Sequence, residues 1–167
     1  MFFKKIKSLI MLMAISLSSG ALAEGSYVGG NFSSLDLEGP YGGPSFKAAM
    51  VRFGTEFSDN ITGEFRAGFG LGDDSFEGYD FELDHIYGAY LRVGSNNTGI
   101  NPYLIVGLTQ GQLSSDGESD KEDDFSFGIG VDFGSVEDGA FTLEYMSYMD
   151  KSGVELNGLS IGFLTAF

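Results

Sequence analysis

The chain has 167 residues, no cysteine, and 24 acidic against 9 basic side chains, a formal charge of −15. That length suits one domain, and so acidic a balance excludes nucleic acid as a partner. The missing thiols exclude disulfides, a lipid-modified N-terminal cysteine, thiol catalysis and zinc sites built on cysteine, so packing and backbone hydrogen bonds must hold the fold.

The chain opens on a charged stretch with Lys4, Lys5 and Lys7, then an apolar run over 9–17, then Ala21-Leu22-Ala23. This order reads as a secretory signal peptide over 1–23, with cleavage expected after Ala23. The apolar run is too short for a membrane anchor, which needs roughly 20 residues. Of 167 residues, removing 23 leaves 144; the three lysines leave too, so six basic residues remain against 24 acidic ones, a charge of −18.

Residues 24–167 form the expected single domain, and apolar side chains recur there with period two rather than 3.6. Eight segments carry the pattern: 26–35, 46–57, 61–71, 81–93, 102–113, 125–133, 140–149 and 156–167. In the second, Val51, Phe53 and Phe57 alternate with Arg52, Gly54 and Glu56. In the third, Ile61, Phe65, Phe69 and Leu71 alternate with Glu64, Arg66, Gly68 and Gly70. The fourth sets Leu83, Tyr87, Leu91 and Val93 opposite Glu82, Asp84, Gly88 and Arg92. The sixth places Phe125, Phe127, Ile129, Val131 and Phe133 against small residues and Asp132, and the last alternates Leu159, Ile161, Phe163 and Phe167 with small residues.

Most segments approach the 9–11 residues that a tilted strand needs to cross a bilayer, and an even number suits a closed barrel. Connections alternate as well. Short turns are expected at 58–60, 95–100 and 135–139, whereas 72–80 and the highly charged 114–124 read as longer loops. That pattern predicts both chain ends in the periplasm and acidic loops outside the cell.

Alternation alone does not say which face points outward. Three features favour lipid. Aromatics stand near segment ends (Tyr27, Phe57, Tyr79, Phe81, Tyr103, Phe125, Phe133, Tyr148), as interfacial girdles would; glycines gather on the less apolar face; and Phe167 is in register with the oily one. A soluble periplasmic barrel with an apolar pocket is the rival fold.

The chain resembles the small bacterial outer-membrane β-barrels typified by OmpX, NspA and the transmembrane domain of OmpA. The likeness covers the mature chain, from Gly25-Ser-Tyr-Val-Gly-Gly30 through Asn101-Pro-Tyr-Leu104 to Gly158-Leu-Ser-Ile-Gly-Phe-Leu-Thr-Ala-Phe167. It implies an all-β, eight-stranded antiparallel up-and-down transmembrane barrel in the outer membrane, in contact with lipid and lipopolysaccharide. It further implies that the barrel-assembly machinery reads Phe163 and Phe167. Thr165 departs from the larger apolar residue usual there, and the peptidoglycan-binding domain of full OmpA proteins is not implied.

Charges on the less apolar face form the main constellation: Arg52, Glu56, Glu64, Arg66, Glu82, Asp84, Arg92, Asp132 and Glu144. Ion pairs filling the lumen are the structural reading, and a narrow charged pore is the functional one. The excess of acids predicts hydrated or protonated carboxylates. His85 is the only histidine and falls with Leu83 and Tyr87 on the lipid side; lipid A deacylases of this class carry His-x-Ser, but Tyr87 stands in place of that serine. The acidic run 116–124 and Asp73-Asp74 lack ordered calcium-loop spacing and read as solvated loops. Gly68-Phe-Gly-Leu-Gly72 and Gly128-Ile-Gly130 open no helix, so no cofactor or catalytic site is assigned. The expected function is a non-enzymatic envelope protein whose barrel anchors acidic surface loops, for envelope integrity or surface contact with an unidentified ligand. A small pore and a lipid A-modifying enzyme are the alternatives.

Overall fold

The computed structural model describes residues 25–40, 42–76, 79–115, 118–151 and 153–167. The expected signal peptide lies outside these residues, as does part of the acidic run. Nine strands follow in order: β1 (Ser26–Glu38), β2 (Ser45–Ser58), β3 (Ile61–Gly70), β4 (Asp73–Phe76), β5 (Tyr79–Gly94), β6 (Ile100–Ser115), β7 (Glu118–Phe133), β8 (Ala140–Lys151) and β9 (Val154–Ala166). Neighbours run β3-β2-β1-β9-β8-β7-β6-β5-β4, and pairing of β3 with β5 closes the ring. β4 continues the line of β3 beyond Gly72, whose φ of 125° favours glycine. The wall is therefore an eight-stranded antiparallel barrel.

Its register fixes its shape. From Ser34 the ladder leads one way to Lys47, whose carbonyl accepts from Leu71 N. The other way it passes Leu159, Tyr145, Ile129, Leu104 and Val93 to Ile61. The circuit thus returns to the third wall strand ten residues away, from Ile61 to Leu71. With eight strands, ~3.3 Å per residue and ~4.8 Å between strands, that stagger tilts each strand by roughly 40°.

The alternation resolves in favour of lipid outside. Phe32, Val51, Phe53, Phe69, Leu104, Phe127, Ile129, Phe141, Leu159 and Ile161 stand exposed on the outer wall, while Arg52, Glu64, Arg66 and Glu144 are buried within. So broad an apolar band is the mark of a membrane-facing surface. Phe141 and Phe163 meet edge to face on it, their centroids 5.4 Å apart.

Several strands run further than alternation predicts. The expected loop over 114–124 is largely a hairpin, with β6 and β7 paired from Ile100↔Phe133 to Ser115↔Glu118. Likewise the loop expected over 72–80 holds β4, paired from Asp73↔Glu82 to Phe76↔Tyr79. Backbone pairing there extends the ladder past the apolar band, where side-chain hydropathy gives no alternation to read.

Candidate functional site

The interior stacks three layers. At the end of the short turns, Val136 packs against Tyr27 and Leu164. The turn between β7 and β8 folds beneath the mouth, because Val136 N donates to Asn96 Oδ1 (3.1 Å) and Val136 O accepts from Ala166 N (2.8 Å). Asn96 Nδ2 also donates to Glu56 Oε1 (3.1 Å) and Glu137 Oε1 (3.2 Å), so one amide joins all three turns.

Above this lies a buried ion cluster. Arg52 Nη2 donates to Glu64 Oε2 at 2.8 Å and Nε to Oε1 at 3.2 Å. Arg66 Nε donates to Glu64, and its two terminal nitrogens grip Glu144, Nη2 to Oε2 at 2.7 Å. Tyr27 donates to Glu64 (2.6 Å) and Tyr103 to Glu144 (2.8 Å). A second pair, Arg92 with Asp132, sits alongside, with Arg92 Cζ 3.7 Å from the centre of the Tyr103 ring. The pairs form because β2 and β3 set Arg52 directly opposite Arg66, and Glu64 two residues along the same face. Bidentate geometry and phenolic donors offset part of the large cost of desolvating these charges.

Glycines make room for the rings. A Cβ on Gly54 would lie 2.1 Å from Tyr27 Cζ, and one on Gly130 would lie 2.3 Å from Tyr103 Cζ.

On the hairpin side the lumen turns apolar. Leu35, Phe46, Ala48, Met50, Leu83, Ile86, Ile105, Met146, Tyr148 and Leu156 form a buried cluster there with Tyr90 and Tyr103. The ion cluster thus lies between this layer and the turn-end cap.

The nine charges singled out from alternation separate into two groups. Arg52, Glu64, Arg66, Arg92, Asp132 and Glu144 are buried. Glu56, Glu82 and Asp84 lie outside the cluster. Glu56 is at the turn-end rim with Asn96. Glu82 is exposed and Leu83 is 1% exposed, the reverse of the expected arrangement, because a β-bulge between Leu83 and His85 shifts the register by one residue. Asp84, the extra residue, accepts from Gln112 Nε2 and Ser114 Oγ, both at 2.7 Å. The interior acids therefore equal the arginines, three of each among the described residues, and the surplus carboxylates Glu56 and Glu82 lie away from the cluster, Glu56 at the turn-end rim and Glu82 exposed.

Three aromatics expected in the girdles, Tyr27, Tyr103 and Tyr148, are buried inside instead. Their parity betrays this, since each alternates with the outward set on its own strand: Val28, Leu104 and Ser147. His85 stacks on Tyr87, ring centroids 5.8 Å apart, and the Tyr87 hydroxyl donates to Gln110. With Leu83 turned inward, only Tyr87 shares the expected face with His85. Phe163 is exposed on the outer side of β9, and Phe167, just past the strand, is exposed as well.

The hairpin end carries the acid. Among the described residues, stretches 36–38, 73–84, 118–124 and 150–155 hold two, five, five and two acidic residues, fourteen in all, against Lys47, Lys121 and Lys151. Here β7 leaves β8, their last paired residues being Phe127↔Ser147. Side chains bridge the seam: Ser126 Oγ donates to Tyr148 O (2.9 Å), Asp150 N to Asp124 Oδ2 (2.9 Å) and Lys151 Nζ to Glu122 Oε2 (2.5 Å). That last contact holds the Lys151 ammonium above its ordinary pKa.

No curated protein sequence matches the chain. Among solved structures it is similar to Neisserial surface protein A, at 15% identity over 86% of this chain and 98% of that one, with a TM-score of 0.62. It is similar as well to Ail, the attachment invasion locus protein of Yersinia pestis, at 15% identity over 84% and 97%, with a TM-score of 0.59. The N-terminal β-barrel domain of Pseudomonas aeruginosa OprF follows at 14% identity over 83% and 96%, with a TM-score of 0.54. At such identities these likenesses speak to fold alone. Residues 8–167 match the family described as outer membrane protein beta-barrel domain, and the chain belongs to that family.

Proposed function

We propose that this protein is a non-enzymatic anchor of the bacterial outer membrane, exported by a leader cleaved after Ala23, which holds acidic β-hairpins at the cell surface for envelope integrity or contact with a surface ligand. The observation that carries this reading is the filled interior beneath a charged hairpin end: a cap at Val136, three balanced ion pairs and an apolar layer leave the barrel as a support. The same filling argues against the pore alternative. Catalysis finds no support either, since the His85 ring is stacked on Tyr87 and the adjacent Asp84 is held by Gln112 and Ser114.

Ail has been solved with the heparin analogue sucrose octasulfate, a polyanion. A hairpin end with fourteen acids and three lysines among its described residues repels such a ligand, so the partner chemistry proposed here is neutral or cationic. The exposed Phe163 on β9 and Phe167 just past it support the proposal that the assembly machinery reads this segment.

Because the chain lacks cysteine, orientation is directly testable. Asp120→Cys is expected to react with an impermeant maleimide on intact cells, and Asp59→Cys only after lysis. The reverse result would overturn the proposed orientation. Steady single-channel conductance of the wild-type barrel in planar bilayers would overturn the non-pore reading.

A further inference from the structure

On the hairpin side of Phe127 the barrel wall forks. The cause lies in β8, which carries one extra residue, Tyr148, between its pairs Ser147↔Asn157 and Met149↔Leu156 with β9. Such a bulge reverses which neighbour each later backbone group of β8 faces, and the ladder with β7 ends there. β7 itself continues as strand to Glu118, paired beyond the fork only with β6 among the described residues.

One carboxylate closes the base of the fork. Asp124 Oδ1 accepts from Phe125 N (2.8 Å) and Oδ2 from Asp150 N (2.9 Å), so an orphaned donor of each strand is met. The N–H and C=O of one strand residue face the same neighbour, and the side alternates along the chain. With Phe125 N on the open side, the backbone groups of Asp123 and Lys121 face it too. From Asp120 to Phe125 this edge is roughly 17 Å long, the length of an ordinary strand. The side chains of Asp120, Lys121, Glu122 and Asp123 are all exposed.

An open edge is a template for another strand, and proteins commonly blunt it with lysine or proline. Here four of the five side chains over 120–124 are carboxylates. They bar a second copy of this chain, whose own β7 would set like charges opposite each other, and they complement a basic strand. The chain itself supplies a stand-in: Lys151 reaches across the fork to Glu122, both side chains about half exposed. Among the described residues that pair is the last hydrogen bond across the fork, and exposed pairs of this kind hold weakly.

We propose that the β7 edge over Asp120–Asp124 binds an extended cationic peptide segment of a partner protein as an added strand, one of whose basic side chains displaces Lys151 from Glu122. Backbone pairing supplies affinity and the alternate side chains supply selectivity. The site deepens the surface-contact reading of the hairpin end, and rests on it for the partner's access from outside the cell.

Fluorescence anisotropy of a labelled octapeptide alternating lysine and threonine, titrated with the folded mature chain in nonionic micelles, tests the site. Wild type is expected to bind this peptide and not its glutamate–threonine counterpart; no binding of the lysine peptide overturns the proposal. The same peptide N-methylated along its backbone keeps its charge but cannot pair as a strand, and should bind at least tenfold more weakly. Asp120→Asn/Asp123→Asn should weaken binding by about tenfold, the upper range for two exposed charge contacts. The double variant Glu38→Gln/Glu82→Gln, with the same change of charge away from this edge, should change it less than twofold. Lys151→Gln removes the internal competitor and should tighten binding by about threefold, while Lys47→Gln leaves it unchanged. Equal affinity for the N-methylated peptide, equal loss in the two double variants, or no tightening with Lys151→Gln would overturn the site. Self-association of the protein alone, seen by sedimentation and relieved by the peptide, would give the edge to a second copy and overturn it as well. Folding of each variant is checked by faster migration of the unboiled protein on a denaturing gel. Binding in micelles does not depend on orientation, which cysteine labelling on cells reads separately, so either proposal can fail alone.

Discussion

Removing the Glu144 charge is expected to destabilise the barrel by about 3–5 kcal/mol, the range for a buried ion pair that loses one partner. In the folded protein the Glu144 carboxylate accepts from both terminal nitrogens of Arg66 and from Tyr103 OH, with Arg52 Nη2 at 3.7 Å. Glu144→Gln preserves shape and one acceptor but leaves three buried arginines facing two buried carboxylates. The double variant Arg66→Met/Glu144→Leu restores the balance at two of each, and its loss should be smaller than that of Glu144→Gln, at or below about 2 kcal/mol. Urea unfolding of the refolded protein in micelles measures both. Far-UV circular dichroism is the suitable signal, since the chain has no tryptophan. A full cycle with each single variant isolates the coupling. A Glu144→Gln loss under about 1 kcal/mol, or a double variant worse than the single, would refute the reasoning.

Gly130→Ala drives a methyl into the Tyr103 ring and should cost about 1–3 kcal/mol by the same assay. Gly30→Ala, whose Cβ would lie 3.6 Å from its nearest neighbour, should stay within about 0.5 kcal/mol of wild type. Val106→Arg, on the lipid face, is expected to lose about 2–4 kcal/mol, and Gln110→Arg, four residues nearer the hairpin end, only about 0–1 kcal/mol; equal losses would misplace the apolar band. Asn96→Ala removes the amide joining the turns and should cost about 1–2 kcal/mol, read by unfolding and by faster proteolysis at the 134–139 turn.

Strand identity, strand number and wall orientation were legible because each depends on a period-two pattern within a single segment. Phe125 to Phe133 announces its apolar face without reference to any other strand, and the aromatics at segment ends, the glycines and Phe167 add that this face meets lipid. Reading failed where the answer lies in a partner. The bulge at Asp84 inverts Leu83 and Glu82, and nothing in that segment's hydropathy records the extra residue. Residues 114, 115 and 118–124 are strand because β6 and β7 pair there, although their side chains read as a solvated loop.

By itself the sequence determined a Gly-rich, period-two chain with one oily face, and it named nine charges opposite that face, of which the interior holds six. Only the tertiary structure decided that they balance. Closing eight strands with a ten-residue stagger brings Arg66 to Glu144, 78 residues away, and Arg92 to Asp132. The same closure turns Tyr27 and Tyr103 inward over glycines and sets an apolar layer across the mouth. Such contacts join residues on different strands, and their geometry follows from register and shear, which no single segment encodes.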